Sequence, residues 1–266
     1  MIIFPGCKIN IGLNIIGKRP DGYHKIESIF YPLELSDILE IIPNDIFSIS
    51  VTGLPIKGDH SDNLVVKAYY LLQDKYDLPP VKIHLHKVVP MGAGLGGGSA
   101  DGAATLVLLN RLFDLNIDTK KLELYADQLG SDCAFFIQNT PSFVQGKGEI
   151  INPIDVNLKE KYIYLINPQI HISTAEAFGG IVTSPPSKDL KELIRLDFNI
   201  WRSELKNDFE STIFPNHTDI EKIKEELYNL GAIYASMTGT GSSVYGIFEK
   251  EPITNHPHYF EWVSKL

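Results

Sequence analysis

Between Pro90 and Asp101 the chain reads Pro-Met-Gly-Ala-Gly-Leu-Gly-Gly-Gly-Ser-Ala-Asp, with five glycines in the seven positions from Gly92 to Gly98. Glycine loses more backbone freedom on folding than other residues, so a chain concentrates it where the backbone must turn left-handed or lie against a ligand. A glycine-rich loop that opens a helix aims several N–H groups at one point and adds the positive end of the helix dipole. That combination is an anion site, usually for phosphate. The candidate phosphate loop is therefore Pro90, Met91, Gly92, Ala93, Gly94, Leu95, Gly96, Gly97, Gly98, Ser99 and Ala100. Two familiar patterns do not account for it. Gly92, Gly94 and Gly97 satisfy G-x-G-x-x-G, but the stretch after the following helix reads as another helix, not as the second parallel strand of a dinucleotide fold. The P-loop pattern nearly fits, but Gly98 stands where its lysine must be.

A phosphoryl transferase also needs an orienting base and a cation for the moving phosphoryl group. Asp132, in Leu129-Gly130-Ser131-Asp132, is the candidate base; the alternative is an N-cap for the helix that follows. Lys8, in Cys7-Lys8-Ile9-Asn10, is the candidate cation. If it points inward it must be paired or desolvated; the alternative is an exposed edge-strand lysine. Tyr23-His24 forms either an aromatic binding wall or an exposed loop pair, and Thr238 to Ser243 either closes over phosphates or is a hairpin turn.

These residues need a frame. Alternating apolar positions predict strands over 2–4, 9–16, 28–35, 38–42, 47–51, 81–87 and 162–167, and a hairpin from 232–237 and 244–248. Helical patterns cover 64–75 after Asp62-Asn63, 99–112, 119–129, a short stretch after Ser173-Thr174, 189–196 and 220–230. The helix after the glycine loop is apolar on more than one face, which predicts a central position. The order of elements predicts an α+β protein of two domains, 1–150 and 151–266.

The 266 residues are 44% hydrophobic and 21% charged, ordinary values for a globular chain. A net charge of -9 argues against a nucleic-acid or membrane-surface binder, which needs a basic face. No apolar run approaches the roughly 18 to 20 residues that span a bilayer, and Met1 to Phe4 is too short for a signal peptide. Cys7 and Cys133 have no metal spacing and read as reduced thiols of a cytoplasmic protein.

Taken together, these segments resemble the GHMP kinase superfamily. The resemblance rests on Lys8-Ile9-Asn10, on Arg19-Pro20-Asp21-Gly22-Tyr23-His24, on Pro90 to Ser99, on Leu129 to Asp132 and on Thr238 to Ser242. The Arg-x-Asp-Gly-Tyr-His stretch is specific to the branch that acts on a cytidine diphosphate derivative of methylerythritol in the non-mevalonate route to isoprenoids. The resemblance implies a ribosomal protein S5-like amino-terminal domain, a ferredoxin-like carboxy-terminal domain and a cleft between them. It implies ATP on the glycine loop, with Asn63 and Lys87 near the nucleotide. Asp132 would be the base and Lys8 would hold it ionised. Asn10, Tyr23, His24, Thr174 and Phe178 would bind the small-molecule substrate, with Tyr23 and Phe178 clamping the cytosine and His24 reading its edge. Thr238, Gly239, Thr240 and Gly241 would also bind substrate, and Ser99 would hold Mg²⁺. A monomer or homodimer is implied. Two departures from the pattern carry consequences. Ala93 replaces a frequent glycine and must keep a negative φ. Asp101, an acid near the start of the helix, would compete with phosphate for the dipole or face a metal or solvent.

Overall fold

The computed structural model describes residues 1–56, 59–186, 188–254 and 256–266. In chain order its elements are β1 (Ile2–Ile3), β2 (Cys7–Lys18), β3 (His24–Leu33), β4 (Ile38–Pro43), β5 (Ser48–Gly53), α1 (Leu64–Tyr76), β6 (Val81–Lys87), α2 (Gly97–Leu112), α3 (Thr119–Leu129), α4 (Phe135–Gln138), β7 (Ser142–Gly146), β8 (Ile150–Pro153), β9 (Tyr162–Asn167), α5 (Thr174–Phe178), α6 (Leu190–Leu193), α7 (Phe198–Glu204), α8 (Glu210–Ile213), α9 (Thr218–Asn229), β10 (Tyr234–Met237), β11 (Val244–Phe248) and β12 (Phe260–Lys265). The strands form three four-stranded sheets, β1-β4-β6-β5, β2-β3-β7-β8 and β10-β11-β9-β12. The chain is thus α+β. It divides into two compact units, neither continuous in sequence: Met1–Lys8, Pro32–Met91 and Gly96–Thr140 make one, and Ile9–Tyr31, Gly92–Leu95 and Pro141–Leu266 the other.

In the first unit the alternation of Val81, Ile83 and Leu85 buries one face of β6, which pairs antiparallel with β4 and parallel with β5. The Asn63 side chain caps α1 by accepting from the Val65 N–H at 2.9 Å. Helix α2 packs against α1, α3, α4 and β4, which is why Ala100, Ala103, Leu106, Leu108 and Leu109 are all buried. It begins at Gly97, two residues before the predicted Ser99. Gly96 adopts the left-handed conformation (φ 71°, ψ 12°) and takes the N-cap position, where no β-carbon opposes it.

In the second unit β10 and β11 form the predicted antiparallel hairpin, from Tyr234 opposite Ile247 to Met237 opposite Val244. Strand β9 lies between β11 and β12. Tyr164, Ile166, Ile223, Leu227, Met237 and Val244 belong to one buried cluster in which the apolar face of α9 meets this sheet. The sequence patterns left β7, β8, β12, α7 and α8 unassigned. All five are only four to seven residues long, too short for a period of 2 or 3.6 to rise above chance. The helix predicted over 189–196 shrinks to the four residues of α6. Among the described residues no helix is long and apolar enough to cross a membrane. Cys7 and Cys133 are both buried and not disulfide-bonded.

Candidate active site

The first seven residues of β2 are buried on both faces, so Lys8 has no route to solvent. A buried ammonium requires an anion. Asp132 Oδ2 lies 3.5 Å from Lys8 Nζ, with the lysine side chain 4% exposed and the aspartate 28%. Both alternatives weighed for these residues are therefore unrealised. Lys8 is not an exposed edge lysine, and α4 has Ala134, with no side-chain capping bond, at its N-cap. The Lys8 stem passes beside the start of α2: a Cβ added at Gly96 would come within 3.3 Å of Lys8 Cε and 3.0 Å of Phe136 Cζ. The ion pair and the positive end of α2 thus share one corner of the first unit.

Gly92, Gly94 and Gly96 have φ of 62°, 77° and 71°, whereas Ala93 stays outside the left-handed region as its side chain demands. Gly96 carries no side chain to accept from the first-turn N–H groups of α2, and that turn holds no acid. Those donors remain for an anion. Leu95 and Ala100 are buried, Pro90 is half-buried and Met91 is exposed. Ser99 bonds to the Cys133 thiol; burial pushes that thiol up to about 12, against the pull of the Ser99 hydroxyl, so it is no nucleophile at neutral pH.

Two expectations change. Asp101 does not compete with phosphate or face solvent: as the fifth residue of α2 it lies past the first turn, and its carboxylate meets Lys87 at 2.8 Å, 2% exposed overall. Lys87 does not reach toward a nucleotide with its ammonium. It is sealed between Asp37 and Asp101, with only 1% of its side chain exposed. Its ammonium is spent on two buried carboxylates and is closed off from solvent.

The second unit supplies a different set. Asn10, expected to face substrate, is 1% exposed and turned inward. Its Nδ2 donates to Ser28 Oγ (2.8 Å), and its Oδ1 accepts from the Gly239 N–H (2.9 Å) and the Thr238 hydroxyl (3.1 Å). The reason is polar satisfaction: a buried amide must spend its donors and acceptor inside the protein. Asn207, which no sequence signal marked, donates to the Met237 and Gly239 carbonyls at 2.8 Å each. The loop from Thr238 to Gly241 is thereby held by two asparagines and lies directly on the Gly92–Leu95 arm. A Cβ at Gly94 would fall 2.0 Å from Thr238 O, and one at Gly239 would fall 2.9 Å from Gly94 Cα. Only glycine permits this approach. Thr240 is half-buried.

The expected ring clamp is also rearranged. His24, expected to read the edge of the base, instead stacks on Phe178, with ring centroids 4.3 Å apart and planes 17° apart, and so covers a face of one of the two rings expected to clamp it. Burial, and then the charge of Lys18, holds the His24 imidazole below its usual range and favours the neutral ring. Tyr23 is 59% exposed beside the Lys147 ammonium, and Thr174 opens α5 on the surface. His171, also unmarked by the sequence, lies next to Gly92: a Cβ there would sit 3.8 Å from its Nδ1.

The chain matches the GHMP kinases N terminal domain over residues 63–146 and the GHMP kinases C terminal domain over residues 178–254. It is 52% identical to the 4-diphosphocytidyl-2-C-methyl-D-erythritol kinase of Bacteroides fragilis, over 94% of this chain and 93% of the relative. It is 49% identical to the enzyme of the same name from Parabacteroides distasonis, over 94% and 92%. Among solved structures, a 4-(cytidine 5'-diphospho)-2C-methyl-D-erythritol kinase superposes with a TM-score of 0.80 at 25% identity, covering 93% of this chain and 90% of that one. The homoserine kinase of Cytophaga hutchinsonii shares the fold, with a TM-score of 0.69 at 15% identity over 100% of this chain and 94% of that one. On identity of this extent, the chain belongs to the 4-diphosphocytidyl-2-C-methyl-D-erythritol kinase family of the GHMP kinases.

Proposed function

We propose that the protein transfers the γ-phosphoryl group of ATP to the 2-hydroxyl of 4-diphosphocytidyl-2-C-methyl-D-erythritol, a step of the non-mevalonate isoprenoid route, in the cytoplasm. The observation that carries this is the Lys8–Asp132 pair at 3.5 Å beside the uncapped start of α2. A carboxylate partly open to solvent and held by an ammonium has room to accept a proton from a substrate hydroxyl.

Asp132 takes the hydroxyl proton as the oxygen attacks the γ-phosphorus in line. The bond from that phosphorus to the bridging oxygen breaks, and ADP leaves with the electron pair. Lys8 orients Asp132 and stabilises charge on the attacking oxygen and the phosphoryl group. The first-turn N–H groups of α2 hold the phosphates. A positioned base contributes about 10² to 10⁴-fold, and alignment and electrostatics supply the rest. Among the described residues no group of three or more His, Cys, Asp or Glu side chains is arranged to hold a metal. That fits Mg²⁺ arriving on the phosphates, with the Ser99 hydroxyl as its protein contact, since this ion retains waters and takes few protein ligands. It would neutralise phosphate charge. Tyr23, His24 and Phe178 offer the aromatic surface for cytosine, and the neutral His24 ring reads its polar edge.

A coupled ADP-release assay with 4-diphosphocytidyl-2-C-methyl-D-erythritol, against mevalonate, homoserine and simple sugars, tests the assignment. Turnover should be confined to the cytidine substrate. Phosphorylation of one of the other alcohols alone would overturn it in favour of another small-molecule kinase of the superfamily, and ATP binding without turnover of any of them would point to a nucleotide-binding regulator.

A further inference from the structure

We infer that Asp37 is a positioning residue for the phosphate loop, fixing both ends of the glycine bend without touching the nucleotide; this rests on the loop's assignment to ATP above. Asp37 is fully buried just ahead of β4, and its own N–H is tied to the Pro5 carbonyl at 2.9 Å. One carboxylate oxygen, Oδ1, accepts from the N–H groups of Val88 (2.6 Å) and Val89 (2.9 Å), the residues through which the chain leaves β6. The other, Oδ2, accepts from Lys87 Nζ, which in turn donates to Asp101 Oδ2 in α2 at 2.8 Å.

Asp37, from a third segment, therefore holds the exit of the strand directly, and Lys87, the last residue of β6, carries the connection on to Asp101 in the helix. Packing follows the same line. A Cβ at Gly97 would come within 2.9 Å of Val89 Cγ1 and 3.6 Å of Lys87 Nζ, so the first residue of α2 rests on the residues that Asp37 holds.

The charge distribution agrees with this role. Two carboxylates share one ammonium, and the side chains of Asp37, Lys87 and Asp101 are 0%, 1% and 3% exposed. Asp37 spends one carboxylate oxygen on two backbone N–H groups and the other on the ammonium. The surplus falls on Asp101, whose Oδ1 has no hydrogen-bond partner and whose carboxyl is pushed up to about 7, first by burial. Asp37 is thus the fixed acceptor around which the strand exit is set. The backbone donors of the loop are aligned before any phosphate arrives, which is how preorganisation raises affinity.

The test compares wild type with Asp37→Asn and Asp37→Ala. Binding of a non-hydrolysable ATP analogue is measured by calorimetry, acceptor KM by the coupled assay, and backbone order by hydrogen exchange. Asp37→Asn keeps an oxygen for the Val88 and Val89 amides but loses the charge and turns a donor NH2 toward the Lys87 ammonium in place of its acceptor. A hydrogen bond to a charged group sets the scale, so the analogue's Kd should rise about tenfold in Asp37→Asn and further in Asp37→Ala. Acceptor KM should stay within about twofold, the reproducibility expected of an unlinked site, and exchange should quicken between Val88 and Ala100. Unchanged analogue affinity and unchanged exchange in that stretch would overturn the inference even if the melting temperature falls, because a merely structural ion pair predicts that outcome. If neither variant folds, wild type decides: fast exchange at Val88 and Val89 in the free protein overturns the inference, and slow exchange supports it. A wild type that binds no ATP analogue would instead sink the functional assignment. A wild type that binds it equally well as Asp37→Asn would sink the role of Asp37 alone.

Discussion

Two lysines of the first unit meet aspartates, and they do opposite things. Lys8 and Asp132 stand 3.5 Å apart with the carboxylate 28% exposed, whereas Lys87 is locked between Asp37 and Asp101 with every member 3% exposed or less. The chemistry of the groups is the same; access differs. A carboxylate that water can reach can also accept a proton from a substrate. A carboxylate that nothing can reach serves the backbone around it. Reactivity in this fold is therefore set by which ion pair is left partly open, at the turn between α3 and α4, and rigidity by which is sealed beneath α2.

The comparison breaks or sharpens under substitution. Asp132→Asn should lower kcat by about 10² to 10⁴-fold while leaving ATP-analogue affinity nearly intact; single-turnover rates and calorimetry on one preparation check both halves. An active Asp132→Asn enzyme would erase the distinction between the two pairs. Lys8→Met should lower kcat by about 10² to 10³-fold, the range seen when one stabilising donor at a developing charge is removed, again by single-turnover measurement.

The sealed cluster should instead report in stability. The Asp101 carboxyl is raised from 3.8 to about 7, so its folded state binds a proton that the unfolded chain has already released. The sign follows directly. This contribution is fully present below pH 3.8 and is lost as pH climbs toward about 7. Asp101→Asn removes the group that charges, so it should gain stability over wild type between pH 5.5 and pH 8.5, by a gap on the order of a few kcal/mol. Urea titrations at the two pH values measure it, and a gap that does not widen with pH would place the surplus charge elsewhere. The aromatic stack gives a smaller effect with no formal charge involved. Phe178→Ala should raise KM for the cytidine substrate about tenfold, within the 1 to 3 kcal/mol of a stacked base, with kcat nearly unchanged.

Much of this was legible in the residues themselves. The glycine run marked a candidate phosphate loop because five glycines between a strand and a helix have few other physical uses. Lys8 and Asp132 were candidates on their own segments, and the family pattern alone linked them. Asp37 carried no signal: a lone acid ahead of an alternating strand looks like any turn residue. Asn207 was equally silent, and Asn10 misled, since an asparagine on a strand reads the same whether it faces substrate or another loop.

What the sequence determined by itself was the set of elements with strong periodicity, the left-handed turns that demand glycine, and a helix start without a side-chain cap. These depend on backbone sterics and local spacing, which neighbours in the chain decide. What only the tertiary structure decided was which charges are buried, which partners they find and which side chains are consumed inside the protein. Burial is a property of packing between distant segments. Whether a lysine becomes a catalyst or a clamp depends on water access that no local pattern encodes.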